Sequence, residues 1–264
     1  MSDIDLDAYL ARIDYDGPRQ PSLDTLVALH VAHVTAVPFE NLDILLGLTI
    51  SLELAALQAK MVSGRRGGYC FEQNTLFQAV LERLGFRVVP LAARVRAGMS
   101  GGVRPRTHML LRVELEEGAC LADVGFGGDG LVHPLPFAAG AEAWTAGVGH
   151  RLRREDDLWV LTANVGGEWV DLYAFTLEPQ HASDYEMANH YTSTWPGSKF
   201  VQTLTAQRAR ADGRAILRNR DLAVREGGSV RTEVVRDPDH LLEVLDREFS
   251  LSFPAGTRFA RPVF

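Results

Sequence analysis

The chain has 264 residues, 46% of them hydrophobic and 23% charged, with a formal net charge of −7 and two cysteines. That length buries a sizeable core and accommodates two or three small units, and the composition is that of a globular chain. The acidic balance disfavours a nucleic-acid partner, two cysteines make no disulfide framework, and no apolar run approaches a membrane span.

The opening Met1-Ser2-Asp3-Ile4-Asp5-Leu6-Asp7 is acidic and carries neither the basic nor the apolar region of a secretion signal, so a reducing cytoplasm is the expected location. The first third reads as helices. Leu6, Tyr9, Leu10 and Ile13 share one face, and Asp16-Gly17-Pro18 ends that helix. Ser22 can cap a second helix led by Leu23, Leu26 and Val27, which breaks at Val37-Pro38-Phe39-Glu40-Asn41. Ser51 can cap a third, carrying Leu54, Leu57 and Met61. A fourth starts at Cys70, with Phe77, Val80, Leu81 and Leu84 at helical spacing and Gly85 as a left-handed stop. From Phe86 the pattern turns to strands at 86–95, 107–115, 119–124, 158–165 and 169–177, with hairpin turns at Glu116-Glu117-Gly118 and Asp156-Asp157. Residues 151–155 read as a solvated strand edge. Residues 181–197 read as a polar crossing segment, in which His181, Asp184 and His190 are given no role. The last third mixes strands near 201–208, 214–219 and 230–236 with one helix, capped by Asp237, begun by Pro238 and facing Leu241, Leu242 and Leu245 inward.

Chemistry concentrates in Arg65-Arg66-Gly67-Gly68-Tyr69-Cys70-Phe71-Glu72-Gln73-Asn74. Cys70 falls at a helix start, where unpaired N–H groups and the helix dipole favour negative charge, and the thiolate is the nucleophilic form of cysteine. Gly67 and Gly68 permit a tight turn and close approach of a substrate to the backbone. The alternative is a small buried apolar residue, and the stretch alone leaves both open. His108, at the start of one strand, and Asp123, at the end of the next, supply an imidazole to take the thiol proton and a carboxylate to fix its tautomer. Each alone also suits a structural role. A two-residue turn at Glu117-Gly118 pairs His108 with Gly127, four residues from Asp123 along the same face, so contact requires a longer loop, a bulge or strong twist. The glycines of Gly125-Phe126-Gly127-Gly128-Asp129-Gly130 suggest N–H groups free to meet phosphate or carbonyl oxygens. Such a stretch is by default a turn, and this one fits neither a dinucleotide fingerprint nor a P-loop. His30 and His33 lie three apart on one helix face without a third ligand, so no metal site is expected, and Cys120 reads as buried filler.

The residues at 66–74, then Thr107-His108, then Asp123-Val124-Gly125-Phe126-Gly127, in this order and spacing, resemble the arylamine N-acetyltransferase family, as does Val37-Pro38-Phe39-Glu40-Asn41-Leu42. The resemblance covers essentially the whole chain. It implies an α+β fold of N-terminal helical bundle, antiparallel β-barrel and C-terminal α/β lid, at 1–85, 86–190 and 191–264, around a core similar to those of cysteine proteases and transglutaminases. It implies Cys70 as nucleophile, His108 as base and then acid, and Asp123 as orienter. The implied reaction is a ping-pong transfer of acetyl from acetyl-CoA to an aromatic amine, arylhydrazine or hydrazide. Thr107, Gly125, Gly127 and Gly128 would lie beside the acyl-CoA, and Phe39, Val95, Phe126 and Phe200 would line the acceptor pocket. Core packing is the other reading of Phe39 and Val95. No metal, prosthetic group, nucleic acid or membrane partner is implied. An amide synthase closing a macrolactam, a cysteine hydrolase, and a CoA-thioester-binding domain with an inert thiol are the alternatives.

Overall fold

The computed structural model describes residues 4–99, 101–145, 147–262 and 264, so the first three residues of the acidic opening lie outside it. α1 (Leu6–Arg12) and α2 (Leu23–Ala36) start where Asp5 and Ser22 accept the N–H groups of Ala8 and Thr25. After Val37 the chain does more than break. Phe39–Glu40 is a short strand, β1, followed by the single turn α3 (Leu42–Leu45). The third expected helix begins at Leu54 rather than after Ser51: α4 (Leu54–Leu57) has Glu53 as its cap and runs into a wider π-helical turn, Gln58–Ser63. α5 (Cys70–Arg83) buries Phe71, Leu76, Phe77, Val80 and Leu81, and Gly85 follows at φ +90°.

β2 (Arg87–Val95), β3 (His108–Glu114), β4 (Cys120–Ala122), β5 (Leu135–Pro136), β6 (Glu142–Thr145), β7 (Val148–Glu155), β8 (Leu158–Val165) and β9 (Glu168–Phe175) form one antiparallel sheet ordered β5-β4-β3-β2-β9-β8-β7-β6. It curls into a nearly closed barrel filled by Leu91, Leu110, Leu121, Leu152, Leu161 and Tyr173. The opposite face of β2–β4, with Ala92, Met109, Leu111, Val113 and Ala122, packs on the helices. Strand alternation thus divides one sheet between two cores. Residues 151–155 are an edge only in part, because β6 pairs with β7 from Val148 to Arg151 and leaves Arg153 onward uncovered.

The expected crossing segment is a helix, α6 (Ala182–Thr194), started by Asp184 accepting the His181 N–H at 2.9 Å. It runs across the boundary expected between 190 and 191. After α7 (Lys199–Gln202), β10 (Thr205–Arg210), β11 (Gly213–Arg218), β12 (Asp221–Glu226) and β13 (Ser229–Val234) form a meander whose free edge is completed by β1. α8 (Pro238–Phe249), capped by Asp237, closes this lid over Leu217, Leu222 and Val224. The β1–β10 pairing, Phe39 with Gln207 and Glu40 with Ala206, ties the lid to the segment leading to Cys70.

Candidate active site

Cys70 is the first residue of α5, 3% exposed, with its Sγ 3.7 Å from the Thr107 carbonyl. The turn before it is fixed from several sides. Glu72 accepts the Tyr69 N–H at 3.0 Å, and Gln73 Nε2 donates to the carbonyls of Gly68 and Pro38 at 2.7 and 3.2 Å. A Cβ on Gly67 would lie 2.0 Å from the Pro38 oxygen, so only glycine fits there. Beneath the turn, Lys60 bridges Glu72 and Asp43 at 2.7 Å each, and Arg66 reaches Asp43 at 2.7 Å and Glu40 at 2.8 Å. Burial pushes the Glu72 carboxyl up to about 7, with Lys60 holding it from rising further. Burial opposes the Lys60 charge, but Glu40, Glu72 and Asp43 outweigh it and raise its pKa.

His108 and Asp123, both almost wholly buried, meet at 2.7 Å between Nε2 and Oδ2. The β3–β4 turn falls one residue earlier than considered above: the Gly118 N–H bonds the Leu115 carbonyl at 3.2 Å, so Glu116-Glu117 form its corner. Leu111 pairs with Ala122 and Val113 with Cys120, which places Asp123 beside Leu110, one alternation from His108. Diagonal neighbours at that offset are within reach of long side chains. Burial opposes a charge on His108, but the Asp123 carboxylate and contact with Cys70 push its pKa up to about 10. Burial alone would raise Asp123, yet His108, Asn74 and the Gly125 N–H hold it below the usual carboxylate range. With Nε2 committed to Asp123, Nδ1 is the ring nitrogen left for the thiol.

Asn74, one helical turn past Cys70, donates from Nδ2 to Asp123 Oδ1 at 3.0 Å and to the Met109 carbonyl at 2.8 Å. Its Oδ1 accepts the Val124 N–H at 3.1 Å. The i, i+4 spacing from Cys70 was a usable signal for this role. His30 had none. Its Nδ1 donates to the Val132 carbonyl at 2.9 Å, so Nε2 accepts the Asp123 N–H at 3.1 Å. His33 is held likewise, by Tyr9 at 2.6 Å and Gln73 at 3.1 Å. Burial lowers His30 to about 4 and His33 to about 3, so both are neutral struts. Among the described residues no group of His, Cys, Asp or Glu is placed to hold a metal ion.

The aromatic candidates divide into two groups around the thiol. Phe126 stands edge-on to His108 at 5.1 Å and near Tyr173 at 5.2 Å, and Val95 pairs with Tyr173 across β2 and β9. Phe200 contacts Tyr69 at 5.4 Å and Phe39 at 6.0 Å. Tyr173, 4.8 Å from His108, is a neighbour the sequence left unmarked. Phe39, Phe126, Gly127 and Gly128 line a cavity of about 40 Å3, too small for an aromatic ring, and neither Val95 nor Phe200 reaches it. The glycine turn is less free than expected. The Gly125 N–H bonds Asp123 Oδ1 at 3.0 Å, and the Gly128 N–H bonds Gln207 Oε1. Gly127 and Gly128 take positive φ, and a Cβ on Gly125 would lie 2.7 Å from the Cys70 Cα. Arg225 bonds Asp129 at 3.0 Å, so the turn is tied to the lid. Cys120 is a buried free thiol in β4.

A family model described as N-acetyltransferase matches residues 22–257. The arylamine N-acetyltransferase of Mycolicibacterium smegmatis is 45% identical over 249 residues, 92% of this chain and 89% of that protein. That of Escherichia coli K12 is 41% identical over 248 residues, 93% and 88% of the two chains. The solved arylamine N-acetyltransferase from Salmonella typhimurium superposes with a TM-score of 0.90 at 36% identity, covering 95% of this chain and 92% of that one. The Mycobacterium marinum enzyme in complex with CoA superposes with a TM-score of 0.89 at 38% identity, covering 93% and 92%.

Proposed function

The chain belongs to the arylamine N-acetyltransferase family, and from that premise we propose that it carries the acetyl group of acetyl-CoA to nitrogen through a thioester on Cys70. The observation that carries this is the buried Asp123–His108 pair beside a cysteine at a helix start. In the first half-reaction the Cys70 sulfur attacks the acetyl carbonyl, the carbon–sulfur bond to CoA breaks, and the His108 imidazolium gives its proton to the departing thiolate. In the second, an amine nitrogen attacks the thioester, His108 takes the proton that nitrogen sheds, and the Cys70 thiolate leaves. Asp123 holds Nε2–H and offsets the imidazolium charge. Phe126, Val95 and Tyr173 on one side, and Phe39 and Phe200 on the other, are assigned to the acceptor. Thr107, Gly125, Gly127 and Gly128 are assigned to the acyl-CoA side. The helices up to α5 act as bundle, β2–β9 as barrel, and β10–β13 with α8 as lid, with α6 crossing the expected boundary between 190 and 191.

The acceptor follows from protonation. An alkylamine of pKa about 10.4 is almost entirely protonated at neutral pH, whereas an aniline or hydrazide keeps its lone pair. Flat rings also gain about 0.5–1.5 kcal/mol from aromatic contacts beyond area burial. Arylamines, arylhydrazines and hydrazides are therefore the acceptors, and the two free cysteines suit a reducing cytoplasm. No helix of the described residues is long and apolar enough to cross a membrane. Free CoA release is measured with water alone, with an aniline, with an aryl hydrazide and with a lysine analogue. Fast release with the aromatic acceptors and slow release otherwise is expected. Equal release in water favours a hydrolase, and preference for the lysine analogue contradicts the arylamine assignment.

A further inference from the structure

The lid sheet is closed off at one edge and open at the other. β1 covers β10 at one end of its order, whereas β13 stands at the other end with no strand beyond it among the described residues. β13 follows β12 through Gly227-Gly228, both at positive φ, a two-residue hairpin turn whose twist matches that of the strands. In an antiparallel ladder only alternate residues exchange hydrogen bonds with a given neighbour. The Val235 N–H bonds the Arg220 carbonyl at 2.7 Å, in register with the β12–β13 pairing, so the odd-numbered residues of β13 turn their backbone groups toward β12. Val230, Thr232 and Val234 therefore turn their N–H and C=O groups outward, along the open edge.

Side chains sort by the same alternation. Arg231 and Glu233 lie on the α8 side of the sheet, where Arg231 bonds Glu248 at 2.6 Å and Glu233 bonds His240 at 2.9 Å and Arg247 at 2.7 Å. Val230 and Val234 lie on the other side and are 64% and 59% exposed. Edge strands are commonly blunted by proline, a bulge or repelling charge. β13 has no proline, and its register against β12 runs unbroken from Ser229 to Val234. Its charges alternate in sign, and that selects how two copies can pair. Outward-facing residues must oppose outward-facing residues, so a two-fold axis that keeps most of the strand paired passes through Arg231, Thr232 or Glu233. The first choice sets arginine against arginine and the last glutamate against glutamate, and like charges directly opposed are destabilising. The axis at Thr232 sets Arg231 against Glu233 of the second copy, Val230 against its Val234, and Thr232 against its own counterpart. Charge and apolar pattern agree on that register.

We propose that β13 is a self-association edge, on which two copies of this chain pair their β13 strands antiparallel about a two-fold axis at Thr232 and join two lid sheets into one. The assignment does not rest on the transfer chemistry at Cys70. One short strand from each copy is a small interface, so sedimentation velocity of the full chain is expected to show a monomer–dimer equilibrium with Kd of about 10–100 µM. Thr232→Pro removes an outward N–H while sparing the ladder to β12, and Thr232→Arg sets two like charges across the axis. Each variant is expected to raise Kd at least about tenfold, with CoA release with aniline matching the wild type. Residues opposed in a hydrogen-bonded pair have Cα atoms about 5.5 Å apart, within disulfide reach. Under mild oxidation Thr232→Cys is therefore expected to form a covalent dimer, and Val230→Cys, displaced from the axis, is not. A wild-type chain that stays monomeric at about 1 mM overturns the proposal. So does a dimer that both Thr232→Pro and Thr232→Arg leave intact, an assembly larger than a dimer, or cross-linking of Val230→Cys as fast as that of Thr232→Cys.

Discussion

Asp123 accepts from His108, Asn74 and the Gly125 N–H while 1% exposed, so its two oxygens are assigned without ambiguity. In Asp123→Asn the oxygen serves Asn74 and Gly125, and the new amide N–H2 faces His108 Nε2. The ring must then accept there and carry its proton on Nδ1, toward Cys70, where a base is needed. The fold should survive, and acetyl transfer should drop by about 10^4-fold, as in triads whose tautomer is reversed. Near-normal turnover in the folded variant would make Asp123 structural. Linkage offers a second check. A folded pKa of about 10 for His108, against about 6.5 unfolded, gives stability that is full below 6.5 and lost as pH rises through 10. Melting temperature should therefore fall from pH 7 to 10 in wild type and fall less in Asp123→Asn, where the imidazolium has lost its counter-charge. Equal slopes would contradict the pairing. Cys70, His108 and Asp123 were legible because each stands at an element end in a recognisable stretch. His30 and Tyr173 were not, because each reaches the site from an element distant in sequence.

α5 and α8 were read correctly because an apolar face at helical spacing coincides with caps at their starts. α6 was not, since the face it buries consists of Tyr185, Asn189 and Thr192, which carry little periodic apolar signal. β1 is two residues long, and β12, Asp-Leu-Ala-Val-Arg-Glu, has charged ends and only two buried positions. Both gain their pairing from neighbours distant in sequence, a tertiary effect that local pattern does not carry. The register of β3 against β4 depended on where the turn falls, and it turns at Glu116-Glu117, one residue before Glu117-Gly118. The start of α5 depends on the buried charges beneath it. Lys60→Met leaves Glu72 without its cation and should cost about 3 kcal/mol, read as a lower urea midpoint, since breaking a buried pair strands a charge. Adding Glu72→Gln should restore most of the loss. An equal loss in the double variant would contradict the pairing energetics.

Across the molecule, the thiol site lies where three cores meet: α5 supplies Cys70, the barrel supplies His108 and Asp123, and the lid anchors the glycine turn and Phe39. The neutral buried histidines set its acid limit. With folded pKa values near 4 and 3 against about 6.5 unfolded, His30 and His33 contribute stability above 6.5 that is lost as pH falls through those values. Melting temperature should decline between pH 6.5 and 4, and His33→Gln should flatten the decline even though it lowers stability at neutral pH. An unchanged slope would mean that other groups govern acid unfolding. The joining of these parts around one reactive sulfur is tested most directly by intact-protein mass spectrometry after mixing with acetyl-CoA and no acceptor. Wild type should gain one acetyl group that an aniline then removes, and Cys70→Ala should gain none. Full acetylation of Cys70→Ala would contradict the thioester on Cys70.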